Sequence, residues 1–565
     1  MMRVRTVNGG VTVQAVAGNH GVFLGFDLDQ AARQGCLGFA IHRTDHTEGE
    51  QYWLAGFKTF RSVVPVPDPK QMYSSWDHPI QSFYWGDYSA KPAHEYEYRV
   101  VPRYGSPDSP AAHDGAEAAV AVSTSDPATG PHGIFFNRGV AASQAYARRF
   151  GAKPDDLPEA ERSEAMSWLS RGLDEALLGF IGQAAGPGKA LRAAAFEFSE
   201  PGVLTAFQAA HARGADVGIV YHAKDDDTGK ENEGAITQSG IDRAILTPRR
   251  NPKLAHNKFI VFGTEDAEGT LTPVSVWTGS TNMSEGGIFG HSNVGHLVRD
   301  PIVAGHYLDY WNELAGDPVV GDLRTWVAAN NDFDTSELQG PGIHTLFSPR
   351  SGLAPLLWYA QEFTGSQHAG HVTLPFGLTA DFERPLEAYQ GEALHFLMLD
   401  KPDNHQPVWS AVPGVVVAVG ATGGPDELSE WAAETLTGFN SFVRYLHTKI
   451  ILADPLSADP TVISGSANFS PDSTDSNDEN MLVIRGDREA ADIYFTEYMR
   501  IFQHFYARWW ASQITVGGHA VDHSFLTEDD SWQTPYFQDG DNKQRQRALF
   551  AHAVAGNAPD SQNAP

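Results

Sequence analysis

Short runs of alternating apolar and polar residues fill the first hundred positions: VTVQAV (11–16), VFLGFD (22–27), LGFAIHR (37–43), QSFYWGDY (81–88) and EYEYRVV (95–101). In the last of these Tyr96, Tyr98 and Val100 alternate with charged residues, which gives a strand one buried and one wet face. Turn-rich spacers separate the runs, so an all-β sandwich is expected over residues 1–125. From about 133 the period changes. Leu169, Leu173, Leu177 and Phe180 recur at helical spacing within 164–181, and LRAAAFEF, PGVLTAFQAAHARG and DVGIVYHA then alternate between strand-like and helix-like patterns. A second such series begins near 345 with HVTLPFGL, ALHFLML and GVVVAVG. These strands are apolar on both faces, the pattern of a sheet covered by helices on each side.

The predicted organisation is therefore a β-sandwich (1–125), a first α/β half (133–340), a second similar half (341–515) and a tail (516–565). The sandwich resembles the immunoglobulin or fibronectin type III kind. The stretch SPDSPAAHDGAEAAVAVSTSDPATGPH supplies its last strand and a linker. In the tail, Trp532, Tyr536, Phe537 and Phe550 are expected to pack, and the last dozen residues to be disordered.

Composition narrows the picture further. With 565 residues the chain is too long for one domain, and its formal charge of -30 opposes nonspecific binding to polyanions. The single cysteine, Cys36, excludes an intramolecular disulfide and reads as a buried small hydrophobe. No apolar run approaches the roughly 20 residues that span a bilayer, and MMRVRTVNGGVTVQAVAG lacks the apolar core of a secretory signal. A cytoplasmic monomer, with at most peripheral membrane contact, is the expectation.

The chemistry lies in a repeated constellation. AHNKFIVFG contains His256 and Lys258, and LHTKIILAD contains His447 and Lys449. In extended backbone the histidine and lysine of each His-x-Lys project to the same side. Downstream, VSVWTGSTNMS presents Gly279, Ser280 and Asn282, and TVISGSANFS presents Gly465, Ser466 and Asn468. The histidines are separated by nearly the same distance along the chain as the glycines. One His-x-Lys is uninformative, but both motifs in order, twice, behind strands, point to a duplicated site.

These motifs resemble those of the phospholipase D superfamily, His-x-Lys-x4-Asp followed by Gly-Ser-x-Asn. The second copy matches in full through His447, Lys449, Asp454, Gly465, Ser466 and Asn468, whereas the first has Gly263 in place of the aspartate. The resemblance extends over about 133–515 and implies a phosphodiesterase with a phosphohistidine intermediate. It implies His256 as nucleophile and His447 as general acid and then base, an order that the residues alone do not fix. It also implies that Glu479 serves the opposite histidine, His256. The corresponding place in the first half offers Asn293 or Val294 rather than an acid.

Each residue type suits a phosphodiester. Lys258 and Lys449 would offset the charge of the phosphate, Asn282 and Asn468 would donate hydrogen bonds, and Ser280 and Ser466 would support the same substrate cradle. Imidazole supplies both the nucleophile and the proton, so neither metal nor cofactor is required. His291 and His296 form no zinc spacing. Arg249, Arg250 and Lys253, ahead of His256, would attract an anionic substrate. Three functions are in play: a phospholipase D that hydrolyses or exchanges phospholipid head groups, a nuclease using the same site, and a silent binding scaffold. The charge of -30 and the single-chain duplication favour a lipid or other small phosphodiester over nucleic acid, and the intact His and Lys positions weigh against silence.

Overall fold

The structure is a computed structural model that describes residues 1–68, 71–139, 143–403, 406–420, 446–513, 515–516, 519–520 and 525–553. The N-terminal β-rich region forms two antiparallel sheets. Arg3–Asn8, Val11–Ala17, Val22–Leu28 and Tyr84–Asp87 make one, in that spatial order. In the other, Glu95–Ser106 pairs with Gly38–Asp45 and with Ala118–Ser123, as the alternation at Tyr96, Tyr98 and Val100 predicts. Val13, Leu24 and Phe26 of the first sheet and Phe39, Tyr98 and Val120 of the second share one apolar core.

The tail aromatics close this core. Trp532 stacks on Phe83 with ring centroids 5.3 Å apart and donates its indole N–H to the Cys36 carbonyl at 2.8 Å. Tyr536 and Phe537 join the same cluster, and Phe550 packs against Phe23 at 4.9 Å. Cys36 is buried, and burial pushes its thiol up to about 12, which fits its reading as a small hydrophobe. The last dozen residues, expected to be disordered, lie outside the described residues.

The two α/β halves share one strand order. In the first, the seven strands run His132–Phe136, Val294–Val298, Leu271–Gly279, Lys258–Glu265, Lys189–Ala195, Asp216–His222 and Leu246–Arg249. The second runs Gly342–Ser348, Glu479–Arg485, Thr461–Gly465, Ile450–Ala453, Ala369–Leu374, Leu394–Leu399 and Val415–Val419. Place for place, each strand has its counterpart, and four inner strands of the second half are buried along their length.

Each half then continues into a helix. Pro301–Leu314 starts where Asp300 Oδ1 accepts the backbone N–H groups of Ile302 and Val303, with proline at the first helical position. The counterpart, Arg488–Gln513, is 26 residues long, about 39 Å at 1.5 Å per residue. Its Tyr494, Phe495 and Tyr498 pack in one cluster with Ile134 and Val298 of the first half and Phe396 and Val416 of the second. Among the described residues no helix is long and apolar enough to cross a membrane.

The helical pattern over 164–181 is realised as two helices, Glu159–Ser170 and Leu173–Gly182. Arg171 and Gly172 between them take left-handed backbone, with φ of 53° and 90°. Leu169, Leu173, Leu177 and Phe180 are all buried as expected. The break turns Arg171 inward, where its guanidinium meets the Glu497 carboxylate with two contacts of 3.0 and 2.5 Å. A bidentate buried pair of this kind offsets the desolvation of both charges.

Candidate active site

The two His-x-Lys segments sit just before paired strands and are bound crosswise. The backbone N–H of His256 donates to the Asp478 carbonyl of the second half at 3.0 Å, and that of His447 donates to the Ser292 carbonyl of the first half at 3.2 Å. Lys258 N–H donates to Asn480 Oδ1 at 3.2 Å. Each half thus presents its histidine on the other half's loop. His256 is 4% exposed, His447 5%, Lys258 2% and Lys449 0%, so the four motif side chains lie in a dry setting where charges act strongly.

Behind each histidine lies the same three-member chain. His256 Nδ1 is 2.8 Å from Glu479 Oε2, which accepts the Ser466 hydroxyl at 2.6 Å, while Ser466 Oγ accepts the Asn480 N–H at 2.9 Å. In the other half, His447 Nδ1 is 2.9 Å from Asn293 Oδ1, which accepts the Ser280 hydroxyl at 2.8 Å, while Ser280 Oγ accepts the Val294 N–H at 3.1 Å. The expectation that Glu479 faces His256 is met in geometry, and of the two positions open for the partner of His447 it is Asn293 that reaches the ring. Its Nδ2 donates to the Gly287 carbonyl at 2.7 Å, which fixes its oxygen toward His447.

These chains set the tautomers. An ionised carboxylate and an amide oxygen only accept, so both imidazoles carry their proton on Nδ1 and leave Nε2 for chemistry. Burial drives the His256 pKa down to about 4 against the opposing pull of Glu479, and lowers that of His447 with help from Lys449 and His291. Burial would raise the Glu479 carboxyl, but His256 and Lys258 beside it outweigh this and keep it ionised. Burial brings Lys258 down to about 8 and lowers Lys449, which Lys258 pushes further down. Each lysine ammonium donates to the carbonyl of its own motif histidine, at 2.8 Å for Lys258 and 2.5 Å for Lys449. Burial thus favours neutral histidines at rest and loosens the hold of both lysines on their protons.

A pH profile follows from these directions. For a nitrophenyl diester, whose leaving group needs no acid, kcat/KM is expected to fall below about pH 4 as His256 takes a proton. On the alkaline side it falls near pH 8 as Lys258 loses one. An acid limb near the ordinary histidine value of about 6.5 would contradict the buried neutral state.

Glycine precedes each serine for a steric reason. A Cβ on Gly279, at φ 126°, would lie 2.3 Å from the Val294 carbonyl oxygen, and one on Gly465 would lie 2.2 Å from that of Asn480. Those carbonyls accept the N–H groups of Ser280 and Ser466. The close approach brings the strand carrying each histidine partner against the Gly-Ser turn. Asn282 and Asn468 follow the turns, and their side-chain oxygens are buried without a hydrogen-bond partner among the described residues.

Several residues fall elsewhere than expected. Ser280 and Ser466 do not face a substrate: both are fully buried, and each hydroxyl's one proton is committed to the partner of a histidine. Arg249 is likewise 0% exposed. Its Nε donates to Asp478 Oδ2 at 2.9 Å, its Nη1 to Asp317 Oδ1 at 2.7 Å, and it also reaches the Pro318 carbonyl. It pins the loop that bears Glu479, and no charge remains to attract a ligand. Arg249→Met is expected to lower unfolding free energy by about 3–5 kcal/mol, because Asp478 is left as an unpaired buried carboxylate. Denaturant titration checks this, and a loss within 0.5 kcal/mol, about the size of a surface change, would contradict it.

Arg250 stays exposed, and Lys253 pairs with Asp472 at 2.5 Å on the surface. His291 lies beside His447, with ring centroids 5.4 Å apart, whereas His296 is bound to His132 and Tyr494 away from the motif residues. Among the described residues no group of three metal-ligating side chains is present. Asp454 acts in the backbone: its carboxylate accepts the N–H groups of Gln367, His368 and Ala369 at 2.6 to 2.9 Å. Gly263 at the corresponding place sits in a β-bulge, where a Cβ would come within 2.7 Å of the Thr272 carbonyl. The first half thus replaces a carboxylate clip by a tight backbone contact.

The sequence reading passed over Phe196 and Glu197. The Phe196 ring lies edge-on to His256 at 4.7 Å, and Ser284 Oγ donates to Glu197 Oε2 at 2.5 Å. They follow the strand Lys189–Ala195, and the signal for them was that position, since ligand sites gather beyond the carboxyl ends of such strands.

A family model described as the PLD-like domain of cardiolipin synthase matches residues 177–315 and 426–505. The matched segments contain the paired His-x-Lys and Gly-Ser-x-Asn motifs, so the two α/β halves are similar to the PLD-like domain, whose superfamily consists of enzymes that act on phosphodiesters. Similar solved structures include phosphatidylserine synthase from Haemophilus influenzae Rd KW20, 12% identical over 59% of this chain and 85% of that one, with a TM-score of 0.38. Nuc, a phospholipase D family member from Salmonella typhimurium, is 24% identical over 26% of this chain and 87% of that one, with a TM-score of 0.20. Polyphosphate kinase from Porphyromonas gingivalis is 13% identical with a TM-score of 0.36 over 55% of this chain, which spans only 46% of that protein. Comparison with curated proteins finds no match.

Proposed function

We propose that the chain cleaves and transfers phospholipid head groups through a phosphohistidine on His256. The observation that carries the reading is the unequal pair of partners, a carboxylate behind His256 and an amide behind His447. An imidazole bonded to phosphorus through Nε2 while Nδ1 keeps its proton is cationic, and Glu479 stabilises that charge where an amide cannot. A general acid must give up its proton, and Asn293 orients His447 without holding the proton on it.

The steps then balance. Substrate phosphate enters between Lys258 and Lys449, and its negative charge raises the proton affinity of His447, which takes up a proton on Nε2 from solvent as the substrate binds and returns it when the product leaves. His256 Nε2 attacks phosphorus as the bond to the alcohol breaks, and His447 Nε2–H delivers its proton to the departing oxygen. His447 next takes a proton from water or from an acceptor alcohol. The oxygen so activated attacks phosphorus, the phosphorus–nitrogen bond breaks, and His256 returns neutral. Asn282 and Asn468 would hold the equatorial oxygens, and Arg250 would add long-range attraction. Every step uses side chains of the chain itself.

A lipid is favoured over a nucleic acid by the formal charge of -30 and by the cardiolipin synthase description of the matching family model. The test is incubation with phosphatidylcholine or phosphatidylglycerol plus ethanol, with EDTA present. Phosphatidylethanol is the expected product, because a small alcohol captures the phosphoenzyme. Degradation of single-stranded DNA with no lipid consumed would transfer the assignment to a nuclease.

A further inference from the structure

The residue before each motif histidine is anchored at the same place in both halves, but by different side chains. Leu446 N–H donates to Asp400 Oδ1 at 2.9 Å, and Ala255 N–H donates to His222 Nδ1 at 3.2 Å. Asp400 directly follows Leu394–Leu399, and His222 ends Asp216–His222, the sixth strand in each order. Ala255 and Leu446 are also the residues that bridge to the opposite half, at Asp478 and Ser292 respectively. Each motif histidine therefore follows a residue held both by the other half's backbone and by a side chain of its own half.

His222 is 0% exposed, and its two ring nitrogens have different partners. Nδ1 must be a bare acceptor to receive the Ala255 N–H, which puts the ring proton on Nε2, facing Asp226 Oδ2 at 3.0 Å. Asp226 is itself fixed, because its Oδ1 accepts the Gly229 N–H at 2.9 Å at the start of the helix Asp227–Ser239. Burial favours the neutral ring against the pull of Asp226, and Lys224 and Lys258 act in the same direction as burial. Asn232 Nδ2 donates to the carbonyls of His222, at 2.9 Å, and Phe196, at 2.8 Å, which ties the ends of two neighbouring strands. The Phe196 ring stands edge-on to His222 at 5.0 Å and to His256 at 4.7 Å. A backbone contact and a ring contact thus both lead from His222 toward the nucleophile.

We propose that His222 is a positioning residue for the reaction, holding the Ala255 N–H so that His256 Nε2 faces phosphorus at the distance attack requires. It touches no reacting atom. Its action depends on an acceptor at the Nδ1 position: without one, the buried Ala255 N–H loses its partner, and the segment that carries His256 shifts to find another. This rests on the phosphohistidine reading and adds how the nucleophile is held.

The test uses His447→Asn, in which a nitrophenyl diester gives a burst of one equivalent. The burst amplitude counts competent sites, and its rate constant reads attack by His256. Two substitutions are added to that variant separately. His222→Asn places an amide oxygen where Nδ1 stood, whereas His222→Gln places its amide where Nε2 stood, within reach of Asp226 but not of Ala255. Rapid mixing is expected to show a burst slowed about 30-fold in His222→Gln and less than about threefold in His222→Asn, since a misplacement of about 1 Å costs up to about 10^2-fold. The amplitude should stay near one equivalent in both. Equal burst rates in the two variants would overturn the positioning role, whether both were slow or both fast. So would a burst reduced in amplitude rather than in rate, or abolished together with the circular dichroism of the folded chain, since His222 would then only support the fold. Absence of a burst in His447→Asn alone would instead overturn the assignment of His256 as nucleophile.

Discussion

His447→Asn should turn over an alkyl phosphodiester about 10^2- to 10^4-fold more slowly, the range for loss of a general acid, and yet release a first equivalent of nitrophenolate from a nitrophenyl diester rapidly. The two outcomes separate because alkoxide needs a proton to leave and nitrophenolate does not. His256, its Nδ1 hydrogen-bonded to Glu479 at 2.8 Å, remains able to attack in this variant. What is missing is the base that activates water, so the reaction stops after one equivalent. Rapid-mixing absorbance shows this as a burst equal to the enzyme concentration followed by an almost flat line. Slow linear release without a burst would mean that His447 is needed for attack, and the roles would be exchanged.

Glu479→Gln is expected to lower kcat by about 10^4-fold, comparable to the loss when an amide replaces the carboxylate behind another catalytic histidine. The physical reason is tautomeric as well as electrostatic. Glutamine can turn its NH2 toward His256 Nδ1, which moves the imidazole proton to Nε2 and occupies the lone pair that must attack. The positive charge of the phosphohistidine also loses its counter-charge. Asn293→Asp tests the asymmetry from the other side. It leaves the nucleophile alone but adds a carboxylate behind His447, so the His447 pKa should rise and the alkaline limb of kcat for an alkyl diester should move up. Steady-state kinetics across pH measure both, and equal mild losses in the two variants would remove the distinction between the histidines.

Much of this site was legible in the sequence because its strings are local. His-x-Lys before an apolar run and Gly-Ser-x-Asn after one specify strand ends, and their repetition announced two halves that share a strand order. The alternation at Tyr96, Tyr98 and Val100 gave the buried face of its strand directly. What remained hidden depends on contacts between distant segments. Arg249 looked like a basic patch because no local pattern shows Asp478 and Asp317 closing on it. Ser280 and Ser466 looked like ligands of a phosphate because a motif names a hydroxyl without saying where its proton goes. The choice of Asn293 over Val294 required the crosswise docking of the halves, which sets the His447 backbone on Ser292. The helix break at Arg171 and Gly172 was invisible to a hydrophobic period, since the same four apolar residues face inward on either side of it.

The central claim is a covalent bond between phosphorus and His256, and intact-mass measurement after rapid quenching tests it most directly. His447→Asn, mixed with a nitrophenyl diester, should gain the mass of one phosphoryl ester group, and peptide mapping should place it on His256. His256→Ala under the same conditions should gain nothing and should lose turnover on the order of 10^6-fold, as removal of a nucleophile does in other covalent catalysts. An adduct on His447 in the His256→Ala protein would exchange the two roles. An adduct on a serine or on Cys36 would contradict the histidine mechanism itself.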